Sequence, residues 1–103
     1  MEKAKDFIAK NTVMIFSKSY CPYCTKVKQL FQGLGVNFTA VELDQIADGS
    51  EIQAALKQIT GGTTVPRVFI DSEHIGGNDD TQNLHKKGGL VPKLTAAGVT
   101  VKQ

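Results

Sequence analysis

The sequence predicts an α/β domain built on a four-stranded mixed β-sheet flanked by helices on both faces. Short apolar runs of strand length alternate with segments whose apolar residues recur at i, i+3, i+4 and i+7. Glycine pairs and capping residues separate these segments. Near the carboxyl end a tight turn joins two short runs as a hairpin. Two strand–helix–strand steps imply a parallel pair with right-handed crossovers, and the hairpin adds antiparallel strands.

Residues 3–10 predict a short first helix anchored by Phe7 and Ile8. Val13, Met14, Ile15 and Phe16 form a strand suited to burial on both faces. Pro22 opens a helix, because the first helical position needs no N–H donor. Its apolar face is Val27, Leu30, Phe31 and Leu34, and Gly33 and Gly35 end it. A second strand is expected over 36–43, then a helix starting at Asp48-Gly49-Ser50 with Ser50 and Gln53 as a capping box. Ile52, Ala55, Leu56 and Ile59 repeat the apolar stripe before Gly61-Gly62. Val68, Phe69 and Ile70 predict a third strand, Asp71-Ser72 a turn, and 73–75 a fourth strand. Asn78, Asp79 or Asp80 is expected to cap a helix ending near Gly88, and a last helix runs from Leu90 to Ala97.

Composition limits what such a domain does. With 103 residues there is room for one domain, 1–103. A net charge of +2 is too small to mark a nucleic-acid partner. Hydrophobic residues at 41% and charged residues at 21% exclude a disordered composition. No apolar run approaches the about 20 residues of a membrane helix, and none near the amino terminus has signal-peptide length. Two cysteines do not build a secreted-type disulfide framework. The expectation is a cytoplasmic monomer with neither a membrane nor a nucleic-acid partner.

Both cysteines fall in Cys21-Pro22-Tyr23-Cys24, between the first strand and its helix. With Pro22 first in the helix, Cys21 is the N-cap, beside unpaired N–H groups and the positive end of the helix dipole. That place favours thiolate over thiol, the reactive form. Cys24, one turn further in, is expected to be shielded and to keep a more ordinary thiol. The charge pattern agrees: residues 7–41 contain no acidic side chain but include Lys10, Lys18, Lys26 and Lys28. Residues 42–80 hold eight acidic side chains against Lys57 and Arg67. A zinc site needs four ligands, and His74 and His85 do not stand at zinc-finger spacing. They read as surface residues, and no metal is expected. A Cys-x-x-Cys beside a βαβ pattern reads as a redox motif.

The stretch Phe-Ser-Lys-Ser-Tyr-Cys-Pro-Tyr-Cys (16–24), then Thr64-Val65-Pro66, then Gly76-Gly77-Asn78-Asp79-Asp80, resembles a dithiol glutaredoxin over nearly the whole chain. The resemblance implies the thioredoxin fold, a cis peptide bond before Pro66, and a glutathione-dependent thiol–disulfide oxidoreductase with glutathione as co-substrate. It implies Cys21 as nucleophile and Cys24 as resolving thiol. Tyr23 would pack beside the glutathione sulfur, and Lys18 and Gln53 would meet the glycyl carboxylate. For Gln53 the capping box is an equal alternative. Thr64, Val65 and Pro66 would offer backbone to the cysteinyl part, a short β-augmentation. Gly77, Asn78, Asp79 and Asp80 would hold the γ-glutamyl end, one aspartate serving only as a cap. Arg67 is a nearby charge without an assigned role. Glutathionylated or disulfide-containing proteins are the implied partners.

Thioredoxin itself is disfavoured, since its Trp-Cys-Gly-Pro-Cys motif is missing and the chain has no tryptophan. Many glutaredoxins carry a further cysteine, often where Asn78 stands; this chain has none. The alternative reading is a glutathione-ligated [2Fe–2S] dimer using the first active-site cysteine. Proteins of that kind usually have Gly or Ser where Pro22 stands.

Overall fold

The structure is a computed structural model that describes residues 2–102. Nine elements follow one another: α1 (Glu2–Lys10), β1 (Val13–Ser17), α2 (Pro22–Gly33), β2 (Thr39–Glu42), α3 (Gly49–Thr60), β3 (Arg67–Ile70), β4 (Glu73–Gly76), α4 (Asn78–Lys86) and α5 (Leu90–Ala96). The strands form one mixed sheet in the order β2-β1-β3-β4.

All five residues of β1 are buried, because the strand is central and covered on both sides. Its side chains alternate between two cores, as a period of two requires. Val13 and Ile15 join Val68 and Ile70 of β3 under Val27, Phe31 and Leu34 of α2 and Leu90 and Leu94 of α5. Met14 and Phe16 join Phe69 under Ala4 and Ile8 of α1 and Ile52, Ala55 and Leu56 of α3. Phe16 lies edge-on to Phe7 at 6.2 Å and to Phe69 at 5.8 Å between centroids, contacts worth about 0.5–1.5 kcal/mol each beyond burial.

β1 and β2 run parallel, joined through α2, as expected. The second strand–helix–strand step differs from the expectation: β3 returns antiparallel to β1, pairing Phe16 with Arg67. After α3 the chain therefore travels back past the sheet end where β1 finishes before it enters β3. That return sets residues 61–66 beside the start of α2, which decides where the site forms.

Other boundaries shift for local reasons. β2 covers only 39–42 rather than 36–43, its four residues matching Met14–Ser17 of its single neighbour β1. Ala4 as well as Ile8 anchors α1, while Phe7 is half-buried. Ile59, in the last turn of α3, is exposed rather than part of the apolar stripe. Gly61 ends that helix in the left-handed region with φ 82°.

The Ser50–Gln53 capping box does not form. Asp48 is the N-cap, its carbonyl accepting the Ile52 N–H at 2.9 Å, so Ser50 falls inside the first turn. The cap expected from Asn78, Asp79 or Asp80 is also absent: Gly77 is the N-cap of α4 and carries no side chain to do it. Asp71 and Ser72 form the hairpin turn with φ of 52° and 67°.

Candidate active site

Cys21 takes the N-cap position of α2, with φ −89° and ψ 114°, and Pro22 follows at the first helical position. The Cys24 backbone N–H donates to the Cys21 sulfur at 3.3 Å. A helix-start donor aimed at sulfur is an arrangement made for an anion. Cys21 is half-buried and Cys24 wholly buried; both are free thiols.

Burial, then the neighbouring Cys21 thiol, pushes the Cys24 thiol up to about 11, while the Lys18 backbone and the Ser17 side chain pull the other way. The inner thiol is thus shielded, as expected, but held more firmly protonated than an ordinary cysteine.

The turn leading into Cys21 is tied down from the far side of β2. The Cys21 N–H donates to the Lys18 carbonyl at 3.1 Å, closing the turn. Ser19 donates through both its hydroxyl and its N–H (2.9 Å) to the Asp44 carboxylate. These donations, with Lys18 nearby, hold Asp44 below its ordinary carboxylate range.

Across from Cys21 lies the return loop. Val65-Pro66 is a cis peptide bond, as the resemblance implied. The Cys21 thiol faces the Val65 carbonyl at 3.8 Å. Arg67 holds this loop: its Nε donates to the Thr64 carbonyl at 2.9 Å and its Nη2 to the Thr64 hydroxyl at 3.0 Å. Its Nη1 lies 3.4 Å from His74 Nε2. His74, packed against Phe69 at 5.2 Å, is half-buried rather than a plain surface residue, and burial followed by the Arg67 charge lowers its pKa.

A cleft of about 480 Å³ runs from Tyr23 along Thr64, Val65, Pro66 and Arg67 to Gly77, Asn78, Asp79 and Asp80. The three motifs that stand far apart in sequence therefore meet in one groove. Lys26 sits 5.4 Å over the Tyr23 ring, and Tyr23 is 56% exposed, forming one wall. Asp80 folds back over Gly76, where an added Cβ would come within 2.6 Å of the Asp80 Cβ. Asn78 donates to Asp79 at 3.4 Å and accepts from Gln82 at 3.2 Å. Lys18 and Gln53 do not line this cleft. Gln53 instead donates to the Thr63 carbonyl at 2.7 Å, bracing the return loop from α3.

Sequence reasoning gave no role to Ser17, Ser19, Glu42 or Asp44, and left Arg67 unassigned. Lys28, read as one of the electropositive lysines, is paired with Glu42 at 2.5 Å and about three-quarters buried. Only the Ser-Lys-Ser sequence ahead of the motif hinted that hydroxyls would be used there. Among the described residues no group of three or more His, Cys, Asp or Glu side chains is arranged to hold a metal.

A helix-start dithiol facing a cis-proline loop on this sheet defines the class: a thioredoxin-fold thiol–disulfide protein. The glutaredoxin family model matches residues 13–75. Glutaredoxin-C2 of Arabidopsis thaliana is 58% identical over 98 residues, covering 95% of this chain and 88% of the relative. The crystal structure of the buckwheat glutaredoxin–glutathione complex superposes with a TM-score of 0.92 at 50% identity, covering 94% of this chain and 88% of that one. That of wheat glutaredoxin gives a TM-score of 0.91 at 57% identity, covering 94% and 93%. The chain belongs to the glutaredoxin family.

Proposed function

We propose that this chain is a glutathione-dependent thiol–disulfide oxidoreductase that removes glutathione from protein mixed disulfides through Cys21 and reduces protein disulfides through Cys21 and Cys24. The observation that carries it is that the Cys21 sulfur faces the Val65 carbonyl of the Thr64–Pro66 loop, which lines one cleft together with Tyr23 and the 77–80 helix start. The buckwheat relative, with the same fold, is described as a glutathione complex.

In the monothiol route the Cys21 thiolate attacks the glutathione sulfur of a protein mixed disulfide. The old S–S bond breaks, the protein leaves as thiolate, and Cys21 carries glutathione. A second glutathione thiolate attacks that glutathione sulfur, releasing glutathione disulfide and the Cys21 thiolate, a ping-pong cycle. In the dithiol route Cys21 forms the mixed disulfide with the substrate protein and Cys24 displaces it, leaving a Cys21–Cys24 disulfide for glutathione to reduce.

Binding follows from the cleft. The Val65 backbone offers an extended partner to the cysteinyl unit. The N-terminus of α4 at Gly77 and Asn78 suits the γ-glutamyl carboxylate, and Asp79 its ammonium. Asp80, folded over Gly76, shapes the floor. Lys18, in the turn before Cys21 rather than in the cleft wall, is the cation the reading assigns to the glycyl carboxylate, and Gln53 supports the loop through Thr63. The reading carries action as a monomer in the cytoplasm, where a glutathione pool keeps thiols reduced. Consistent with a monomer, the exposed large apolar side chains are scattered: Tyr20 and Tyr23 flank Cys21, while Ile46 and Ile59 stand at opposite ends of the α3 region. The cluster-binding alternative has no observation in its favour.

The test is glutathione-dependent turnover of a glutathionylated peptide by the native chain and by Cys24→Ser. Retention of most activity in the variant supports the monothiol route. Indifference of both proteins to glutathione, with disulfide reduction from another donor, overturns the reading.

A further inference from the structure

In the reaction proposed above, glutathione takes the cleft between Tyr23 and the 77–80 helix start. The protein sulfur is the leaving group, so the protein chain must continue from Cys21 over a neighbouring surface. Past Tyr23 a groove of about 420 Å³ lies between α2 and α4, lined by Lys26, Gln29, Leu30, Gln82 and Lys86. It adjoins the cleft along both helices. On α2, Lys26 stands three residues after the cleft residue Tyr23 and sits 5.4 Å over its ring. On α4, Gln82 and Lys86 follow the cleft residue Asn78 at helical spacing on one face, and Gln82 donates to Asn78 at 3.2 Å.

The groove is cationic. Lys26 and Lys86 are exposed, and neither forms an ion pair among the described residues. Neither α2 nor residues 81–103 contain an aspartate or glutamate. Lys28, the other lysine of α2, is spent on Glu42. Asp79 and Asp80 line the cleft and not the groove, so the two sites carry opposite charges.

We propose that the α2–α4 groove docks the protein part of the substrate and selects glutathionylated cysteines that stand next to an acidic segment. The inference rests on the glutathione-dependent reading above and adds its substrate class. Acidic side chains laid along the groove meet Lys26 beside Tyr23 and Lys86 further down α4. The amides of Gln29 and Gln82 are placed to bond peptide backbone, and the partly buried Leu30 supplies an apolar floor. Exposed ion pairs are individually weak, so the groove sorts partners and speeds encounter rather than holding them tightly. That suits a partner that must depart each time its thiolate leaves. The turn before Cys21 offers no equal surface. There the Ser19 hydroxyl and N–H hold the Asp44 carboxylate ionised, which repels an acidic segment, and Lys18 is the cation assigned to the glycyl carboxylate. The cleft thus reads glutathione, and the groove reads the neighbours of the modified cysteine.

The test is glutathione-dependent turnover of glutathionylated single-cysteine peptides flanked by glutamates, by serines or by lysines, at low ionic strength. The native chain is expected to show a higher kcat/KM for the glutamate-flanked peptide than for the lysine-flanked one. Lys86→Glu should lower that preference by about threefold to tenfold, with turnover of the lysine-flanked peptide rising. A gain with one peptide does not come from a damaged fold. Lys87→Glu makes the same change in net charge at an exposed lysine outside the groove, and the preference should hold within about twofold. Raising the ionic strength to about 0.5 M shortens the screening length to about 4 Å and should erase the native preference. Equal or reversed preference in the native chain overturns the proposal. So does an equal shift in Lys86→Glu and Lys87→Glu, which would make net charge the cause rather than the groove. Failure of the native chain to turn over even the serine-flanked peptide with glutathione would sink the functional reading instead, a different result.

Discussion

The Cys21 thiol faces the Val65 carbonyl at 3.8 Å, although the two residues are 44 positions apart in the chain. The antiparallel return of β3 brings them together, and it joins the helix-start sulfur to an extended strip of backbone. In the proposed reaction a thiolate at that point attacks a sulfur that the strip holds in line. Cys21→Ser leaves the Thr64–Pro66 loop intact and removes the sulfur that faces it. Turnover of a glutathionylated peptide is expected to vanish, with the thermal midpoint nearly unchanged. Substantial remaining activity would place the nucleophile elsewhere.

Gln53 braces the same loop from α3 through its 2.7 Å bond to the Thr63 carbonyl. Gln53→Ala removes that donor at a half-buried position, so stability should fall by about 0.5–1.5 kcal/mol. If the loop is thereby loosened, KM for glutathione rises while the reactivity of Cys21 toward iodoacetamide stays put. Equal losses in both would show that Gln53 acts on the nucleophile rather than on the loop.

What was legible in the sequence is what local chemistry decides. Pro22 at the first helical position placed Cys21 at the N-cap, and the alternation over Val13–Phe16 announced a strand with a core on each side. Where a local rule met a tertiary competitor, the rule lost. Ser50 and Gln53 have capping-box spacing, but Gly49 lies against the Leu43 carbonyl, the helix starts earlier, and Gln53 turns to Thr63. The hydrogen-bonded row Ser17–Glu42–Lys28 was illegible, because it depends on which residue of β2 stands opposite Ser17. The closeness of residues 64–66 and 77–80 likewise depends on the direction of β3. Only the resemblance of the three motifs to a known family anticipated it.

Gly49 tests the packing that starts α3. A Cβ built there would lie 1.7 Å from the Leu43 carbonyl oxygen, which is backbone and has no rotamer to yield. Gly49→Ala must push the helix start away from the segment after β2. A loss of about 1–3 kcal/mol is expected, measured by urea unfolding. Because Asp44 directly follows Leu43 and its carboxylate holds the Ser19 turn before Cys21, the rate of Cys21 alkylation should change as well. By contrast, Gly33→Ala, where a Cβ meets nothing within 4 Å, should be neutral or slightly stabilising.

The Cys24 thiol predicts how stability depends on alkaline pH. Its pKa is raised from an ordinary 9.0 to about 11, first by burial and then by the Cys21 thiol. The folded state therefore prefers the protonated group, and the unfolded chain ionises first. Below pH 9 both states carry the proton and folding feels no penalty from this group. Between pH 9 and about 11 the unfolded state loses its proton while the folded state keeps it, so stability falls as pH rises. With a phosphine reductant present to hold both thiols free, urea midpoints measured from pH 8 to 10.5 should fall more steeply for the native chain than for Cys24→Ser. A serine hydroxyl does not ionise in that range, so the difference between the two curves isolates the buried thiol. Parallel curves would mean that Cys24 ionises alike in the folded and unfolded chain, and that the shielding seen around it has no thermodynamic weight.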